Sequence, residues 1–157
     1  GKPDEHKFKF SQRVIAGLAQ ISLGSGDRLT ISTLGGTGRW GPYRGRGRML
    51  TLLDFIGGLK AGGNVDLNAA LRGYASQSAR PGLCIVLSDL LSPNGYQDGI
   101  NALQSRGHEV VLIHILSHDE VEPPLAGDLH LDAHAPRAIR PALDLSRAVP
   151  HEHGQPQ

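Results

Sequence analysis

The sequence predicts an α/β fold, a doubly wound, mostly parallel sheet with helices on both faces, on the strength of three observations. Two short runs, the continuous apolar "LCIVLS" at residues 83–88 and the apolar-rich "HEVVLIHIL" at residues 108–116, have the composition of buried parallel strands, the first of them covered on both faces. A third run, "DRLTISTLG", alternates apolar and polar residues through Leu29, Ile31 and Leu34, as a strand does. Between these runs lie amphipathic stretches at helical spacing, and strands alternating with helices build parallel sheets.

In chain order, residues 7–24 form a helix with Val14, Ile15, Leu18 and Ile21 on one face, Asp4 as N-cap and Gly24 as stop. Residues 36–48, "GTGRWGPYRGRGR", read as a loop rich in glycine and arginine. A second helix occupies residues 49–60, with Leu52, Leu53, Ile56 and Leu59 inward. A third covers residues 66–78, with Leu67, Ala70, Leu71, Tyr74 and Ala75 on one face. A fourth runs over residues 96–106 and stops at Gly107. "EPPLAGDLHLDAH" and "RAIRPALDLS" read as turns with one or two short strands. One domain over residues 1–149 and a frayed tail over 150–157 complete the organisation.

The 157 residues fit a single domain. Cys84, the one cysteine, lies inside an apolar strand, which excludes a disulfide framework and points to a reducing, cytoplasmic setting, though a membrane-anchored parent chain is compatible with it. A net charge of +1 gives no global pull toward nucleic acid or anionic lipid, and no apolar segment approaches the ~20 residues that span a bilayer. Gly1 in place of a start methionine suggests a processed chain or a piece of a longer one.

Asp89 is the residue that asks for a function. A carboxylate is rarely buried without a partner, yet this one ends an apolar strand. In open α/β sheets ligands bind beyond the carboxyl ends of the strands, so Asp89 belongs to the rim where a ligand or metal sits.

The succession "GDRLTISTL", "PYRGRGRML", "GGNVDLNAAL", "LCIVLSDLL", "RGHEVVLIHIL" and "DEVEPPLAGDLHLD" closely resembles the bacterial "domain of unknown function 58" family, a branch of the von Willebrand factor A-like fold. The resemblance implies a non-enzymatic interaction or adaptor domain that partners a MoxR-type AAA+ ATPase. It also implies a metal-ion-dependent adhesion site for Mg²⁺ or Mn²⁺. By that likeness Asp89 matches the aspartate of the third loop, Val65 stands where a threonine is usual, and Asp66 is its neighbour. The Asp-x-Ser-x-Ser motif and the central first strand that carries it are absent from this sequence. The site is therefore incomplete, with weak Mg²⁺ or Mn²⁺ binding only if the motif lies upstream. The strands at residues 29–34 and 83–88 should then face an empty slot, filled by an upstream segment or by a strand-completing second copy. The partner-binding face comprises Arg39, Trp40, Tyr43, Arg44, Arg46, Arg48, Asn64, Asp66, Ser88 and Asp89.

Other readings compete. A metal-dependent hydrolase or phosphate-handling enzyme would use Asp89 and the late histidines, of which His130 and His134, with Asp132, would share one strand face as zinc ligands, His114 and His118 lying nearby in sequence. A nucleic-acid binder would use the Arg-Gly loop with Trp40 and Tyr43. "GTGRWG" fits G-x-G-x-x-G, but a proline and an Arg-Gly run follow where a dinucleotide site needs a helix. Ser88 lies inside a strand instead of on a nucleophile elbow, and a buried Cys84 behaves as a small apolar residue.

Overall fold

The computed structural model describes residues 3–36, 38–62 and 65–121, all within one compact unit, Gly1–Pro124. Helix α1 (Pro3–Gly24) leads through a short turn into β1 (Leu29–Ser32), which a loop joins to β2 (Arg39–Tyr43). A 3-10 turn (Arg46–Arg48) opens α2 (Met49–Gly58). Then come α3 (Leu67–Gln77), β3 (Leu83–Ser88), α4 (Gln97–Ser105), β4 (Glu109–His114) and a single turn, α5 (His118–Val121). The turns and short strands expected after residue 121 lie outside the described residues.

Among the described residues the fold is mixed α/β, with a parallel and an antiparallel pair of strands instead of one continuous sheet. β3 and β4 pair in parallel, with Leu83 opposite Glu109 and Ser88 opposite His114. β1 and β2 pair antiparallel, with Leu29 opposite Tyr43 and Ser32 opposite Arg39. β1 and β3 are not hydrogen-bonded to each other.

Two apolar clusters follow from this division. Ala19 and Leu23 of α1, Trp40 of β2 and Leu52 and Ile56 of α2 form the first. Leu67, Leu71 and Ala75 of α3, Val86 of β3 and Leu103 of α4 form the second. The 3.6-residue period explains both: Leu52 and Ile56, like Leu67, Leu71 and Ala75, lie four apart and stack on one helix face.

Several expectations need correction. Residues 39–43 are not a loop but the strand β2, and Trp40 is a core residue, 6% exposed. Gly41 and Pro42 hid this strand, since both interrupt strand patterns. They are accommodated because β2 carries one extra residue opposite β1 between Leu29 and Ile31, a bulge. Gly41 sits there at φ 92°, with the Leu29 carbonyl oxygen where a Cβ would project. Helix α1 begins at Pro3, so Asp4 lies within the helix and not ahead of it. Ile21 and Leu53, expected inward, are exposed, while Ala19 and Leu23 take the inner positions of α1. β3 is not covered on both faces. Cys84 and Val86, with Val110 and Leu112, pack under the second cluster, whereas Leu83 is 61% exposed and Val111 is also exposed.

Gly41→Ala tests the bulge. A left-handed φ together with the occupied Cβ position should lower stability by about 1–3 kcal/mol. This would be read as a lower midpoint of urea unfolding at unchanged slope.

Candidate functional site

The carboxyl ends of β1 and β3 converge on a small cleft of ≈ 180 Å³ lined by Leu34, Val65, Leu67, Ser88, Asp89, Leu91 and Ser92. The loop that follows β3 folds back on its own side chains. Ser88 Oγ accepts from the Leu90 N–H at 3.1 Å, and Asp89 Oδ1 from the Leu91 N–H at 3.3 Å. Such short-range bonds are what serine and aspartate offer a turn. Here they flank Leu90, a non-glycine residue at φ 59°.

The same loop is fastened to the first turn of α3, whose N–H groups lack helical partners. Ser92 Oγ accepts from the Leu67 N–H at 3.1 Å, and Asp66 Oδ1 caps the helix by accepting from the Ala69 N–H at 2.9 Å. Asp66 Oδ2 accepts from Asn94 Nδ2 at 2.8 Å. Behind them, the buried Asn68 donates from Nδ2 to the Asn94 carbonyl at 2.6 Å and accepts at Oδ1 from the Gly99 N–H at 2.9 Å. The Ala69 N–H and the Asn94 amide hold the Asp66 carboxyl below the ordinary aspartate range.

A lysine from the start of α1 supplies the charge at the cleft. Lys7 Nζ lies 3.5 Å from Asp89 Oδ2 and donates to Glu120 Oε1 at 3.0 Å. Its side chain is 10% exposed. Desolvation opposes its charge, but the Glu120 and Asp89 carboxylates outweigh that and keep Lys7 above the ordinary lysine range. Glu120 is held low, first by the Ser117 N–H and then by Lys7. On the far side, His114 Nε2 lies 3.1 Å from the Asp89 carbonyl oxygen.

The structure brings Ser88, Asp89 and Val65 together and leaves Asp66 aside, both of its oxygens being committed to α3 and Asn94. A hard divalent cation takes about six oxygen ligands, and these side chains do not fit one. Asp89 faces an internal ammonium, Val65 has no oxygen, and Ser88 and Ser92 already accept backbone N–H groups. Among the described residues no three histidine, cysteine or carboxylate side chains cluster to hold a metal. His130, Asp132, His134 and Asn64 lie outside the described residues. Burial pushes the Cys84 thiol up, away from a reactive thiolate. "GTGRWG" runs into β2 and not into a helix, so no helix N-terminus meets it.

The expected partner face is divided. β2 runs antiparallel to β1, so Arg39, opposite Ser32, lies at the cleft end. Tyr43, opposite Leu29, and the arginines after it lie at the other end, and Trp40 between them is buried. Sequence reasoning missed Lys7 and Asn68. A lysine on a polar helix face and an asparagine in a first turn carry no signal of long-range partners.

Two measurements check this construction. Asn68→Ala should destabilise the protein by about 1–3 kcal/mol, because the buried Gly99 N–H loses its acceptor, and should speed hydrogen exchange in the Gly95–Gly99 amides. The Asp66 carboxyl is lowered in the folded state, so its stabilisation is complete above about pH 4 and fades as pH falls through the folded value. The stability gap between wild type and Asp66→Asn, from urea unfolding, should therefore be full at pH 6 and shrink on acidification.

Comparison with known proteins gives a family but no activity. Residues 1–140 match the family described as "Protein of unknown function DUF58". "Uncharacterized protein Rv1480" of Mycobacterium tuberculosis is 30% identical over 146 residues, which cover 85% of this chain and 46% of that protein. "Uncharacterized protein Mb1516" of Mycobacterium bovis matches over the same shares at 30% identity. "Uncharacterized protein MAV169" of Mycobacterium avium is 35% identical over 66 residues, 42% of this chain and 38% of that protein. The chain thus spans about half the length of the longer relatives it matches, and no solved structure is significantly similar to it. By this match the chain belongs to the DUF58 family.

Proposed function

We propose that the chain is a non-enzymatic interaction module of von Willebrand A-like fold, whose cleft at the strand carboxyl ends receives a side chain of a partner protein. The partner we favour is a MoxR-type AAA+ ATPase. The observation that carries the reading is the cleft itself. At ≈ 180 Å³ it is below the roughly 300–1,000 Å³ of small-molecule sites, and its rim combines the Asp89 carboxylate with the exposed Leu91. A shallow cup of mixed polar and apolar lining with a carboxylate at its edge suits a protruding side chain better than a small substrate. Binding of this chain would rest on shape and on Asp89, without a divalent cation. In the same reading, a further strand completes the gap between β1 and β3, and a second copy supplies it when the chain stands alone.

Leu91 is on the surface, so Leu91→Arg should leave the fold intact while blocking the cleft. Titrating the labelled chain with the ATPase should give an affinity that falls at least about tenfold in Leu91→Arg and in Asp89→Ser, and that EDTA leaves unchanged in the nucleotide-free state. Binding indifferent to both substitutions would refute the cleft as the contact. Magnesium-dependent phosphoester turnover lost in Asp89→Asn would replace the adaptor by a hydrolase.

A further inference from the structure

A second surface lies at the opposite end of β1 from the cleft. Between Asp27 and Asp54 the chain carries five arginines (Arg28, Arg39, Arg44, Arg46 and Arg48) and no acidic residue. Antiparallel pairing places Tyr43 opposite Leu29, so Arg44, Arg46 and Arg48 fall together beyond the amino end of β1. All three are exposed, and among the described residues no carboxylate pairs with them. Helix α2 starts directly after them and turns Leu50, 76% exposed, and Leu53, 44% exposed, outward three residues apart on one face.

We infer that this end of the molecule docks an acidic, leucine-bearing protein segment, its carboxylates on Arg44, Arg46 and Arg48 and its apolar side chains on Leu50 and Leu53. Unpaired guanidinium groups bind carboxylates in forked hydrogen bonds, and an exposed leucine pair beside them gives a partner apolar area to cover. Nucleic acid fits the phosphate-binding half of this surface but not the rest. Single-strand binders offer aromatic faces for bases to stack on. Here Trp40 is buried, and Tyr43 has the Trp40 ring edge-on with centroids 4.8 Å apart and the Arg48 guanidinium 5.0 Å over its face. An anionic membrane is disfavoured by Asp54, which is exposed beside Leu53 on the same outer side of α2. An acidic helix docked with its carboxylates on Arg44, Arg46 and Arg48 meets three guanidinium groups against the one exposed carboxylate of Asp27 at that end of β1. This surface is separate from the cleft and does not depend on the partner proposed there.

The test uses the whole chain and three probes: a fluorescein-labelled helical peptide with Glu and Leu on one face, a labelled dT oligonucleotide, and phosphatidylserine vesicles. The peptide should bind, and a scrambled peptide of equal composition should bind more weakly. Arg44→Glu with Arg46→Glu should weaken peptide binding by at least about tenfold. Leu50→Ser should weaken it severalfold at every salt concentration, because that contribution is apolar. All of these positions are exposed, and unchanged far-UV circular dichroism and melting temperature confirm that each variant is folded. Leu91→Arg, at the cleft, should leave peptide affinity unchanged, which separates failure of this inference from failure of the cleft. The inference is overturned by tighter oligonucleotide than peptide binding with a steep salt dependence, by vesicle binding that exceeds peptide binding, or by peptide affinity indifferent to the double charge reversal.

Discussion

The buried amide of Asn68 is the constraint on which the rest of the cleft depends. It lies in the first turn of α3, facing both the loop that follows β3 and the start of α4, the helix that also packs on α3 through the second apolar cluster. Its Nδ2 fixes the Asn94 carbonyl and its Oδ1 fixes the Gly99 N–H, so one side chain sets both the end of the β3 loop and the start of α4. A buried amide is tolerated only when its polar atoms are satisfied, and these two bonds satisfy one donor and the acceptor. Close packing reinforces the arrangement. Gly99 comes so near Leu71 that a Cβ on it would lie 2.7 Å from the Leu71 Cβ, which leaves α4 little freedom to shift on α3. The cup between Leu67, Ser88 and Ser92 is thus shaped by hydrogen bonds made behind it.

The helices and both apolar strands were legible in the sequence because their signals are local. Apolar spacing in residues 67–77 and 83–88 states a period, and the period selects the element. Asp66, counted inside that helix, proves to be its N-cap, one residue ahead of the first helical turn. What escaped depends on the chain meeting itself. β2 contains Gly41 and Pro42, which suppress strand patterns, and only the bulge opposite Leu29 reveals why they fit. Trp40 stood among arginines and glycines, where an aromatic suggests a binding surface, but the pairing of β2 with β1 turns it into the first cluster. Of the site, Asp89 and Ser88 were legible as the polar end of an apolar strand. Lys7, distant by 82 positions in sequence (89 − 7), was not.

Membership of the DUF58 family fixes kinship and leaves the chemistry to the residues. The carboxylate at the strand end shares the Lys7 ammonium with Glu120, and the Ser88 and Ser92 hydroxyl oxygens each accept a backbone N–H. These bonds give the cup its shape. Its strongest property is form.

The length of α1 gives these local facts a mechanical meaning. Lys7 and Gly24 are 17 residues apart in one uninterrupted helix (24 − 7), a rise of about 26 Å. The lysine end is anchored to Asp89 at the cleft, while Gly24 lies beside the Arg46 guanidinium at the other pole. A helix is stiff along its axis, and this one is also tied at mid-length, where Gln12 Nε2 donates to the Ile56 carbonyl of α2 at 2.6 Å. It behaves as a strut. A pull that frees Lys7 from its carboxylates would slide or tilt the whole rod, and the arginine-bearing turn would register that motion without any side chain between the two ends having to relay it.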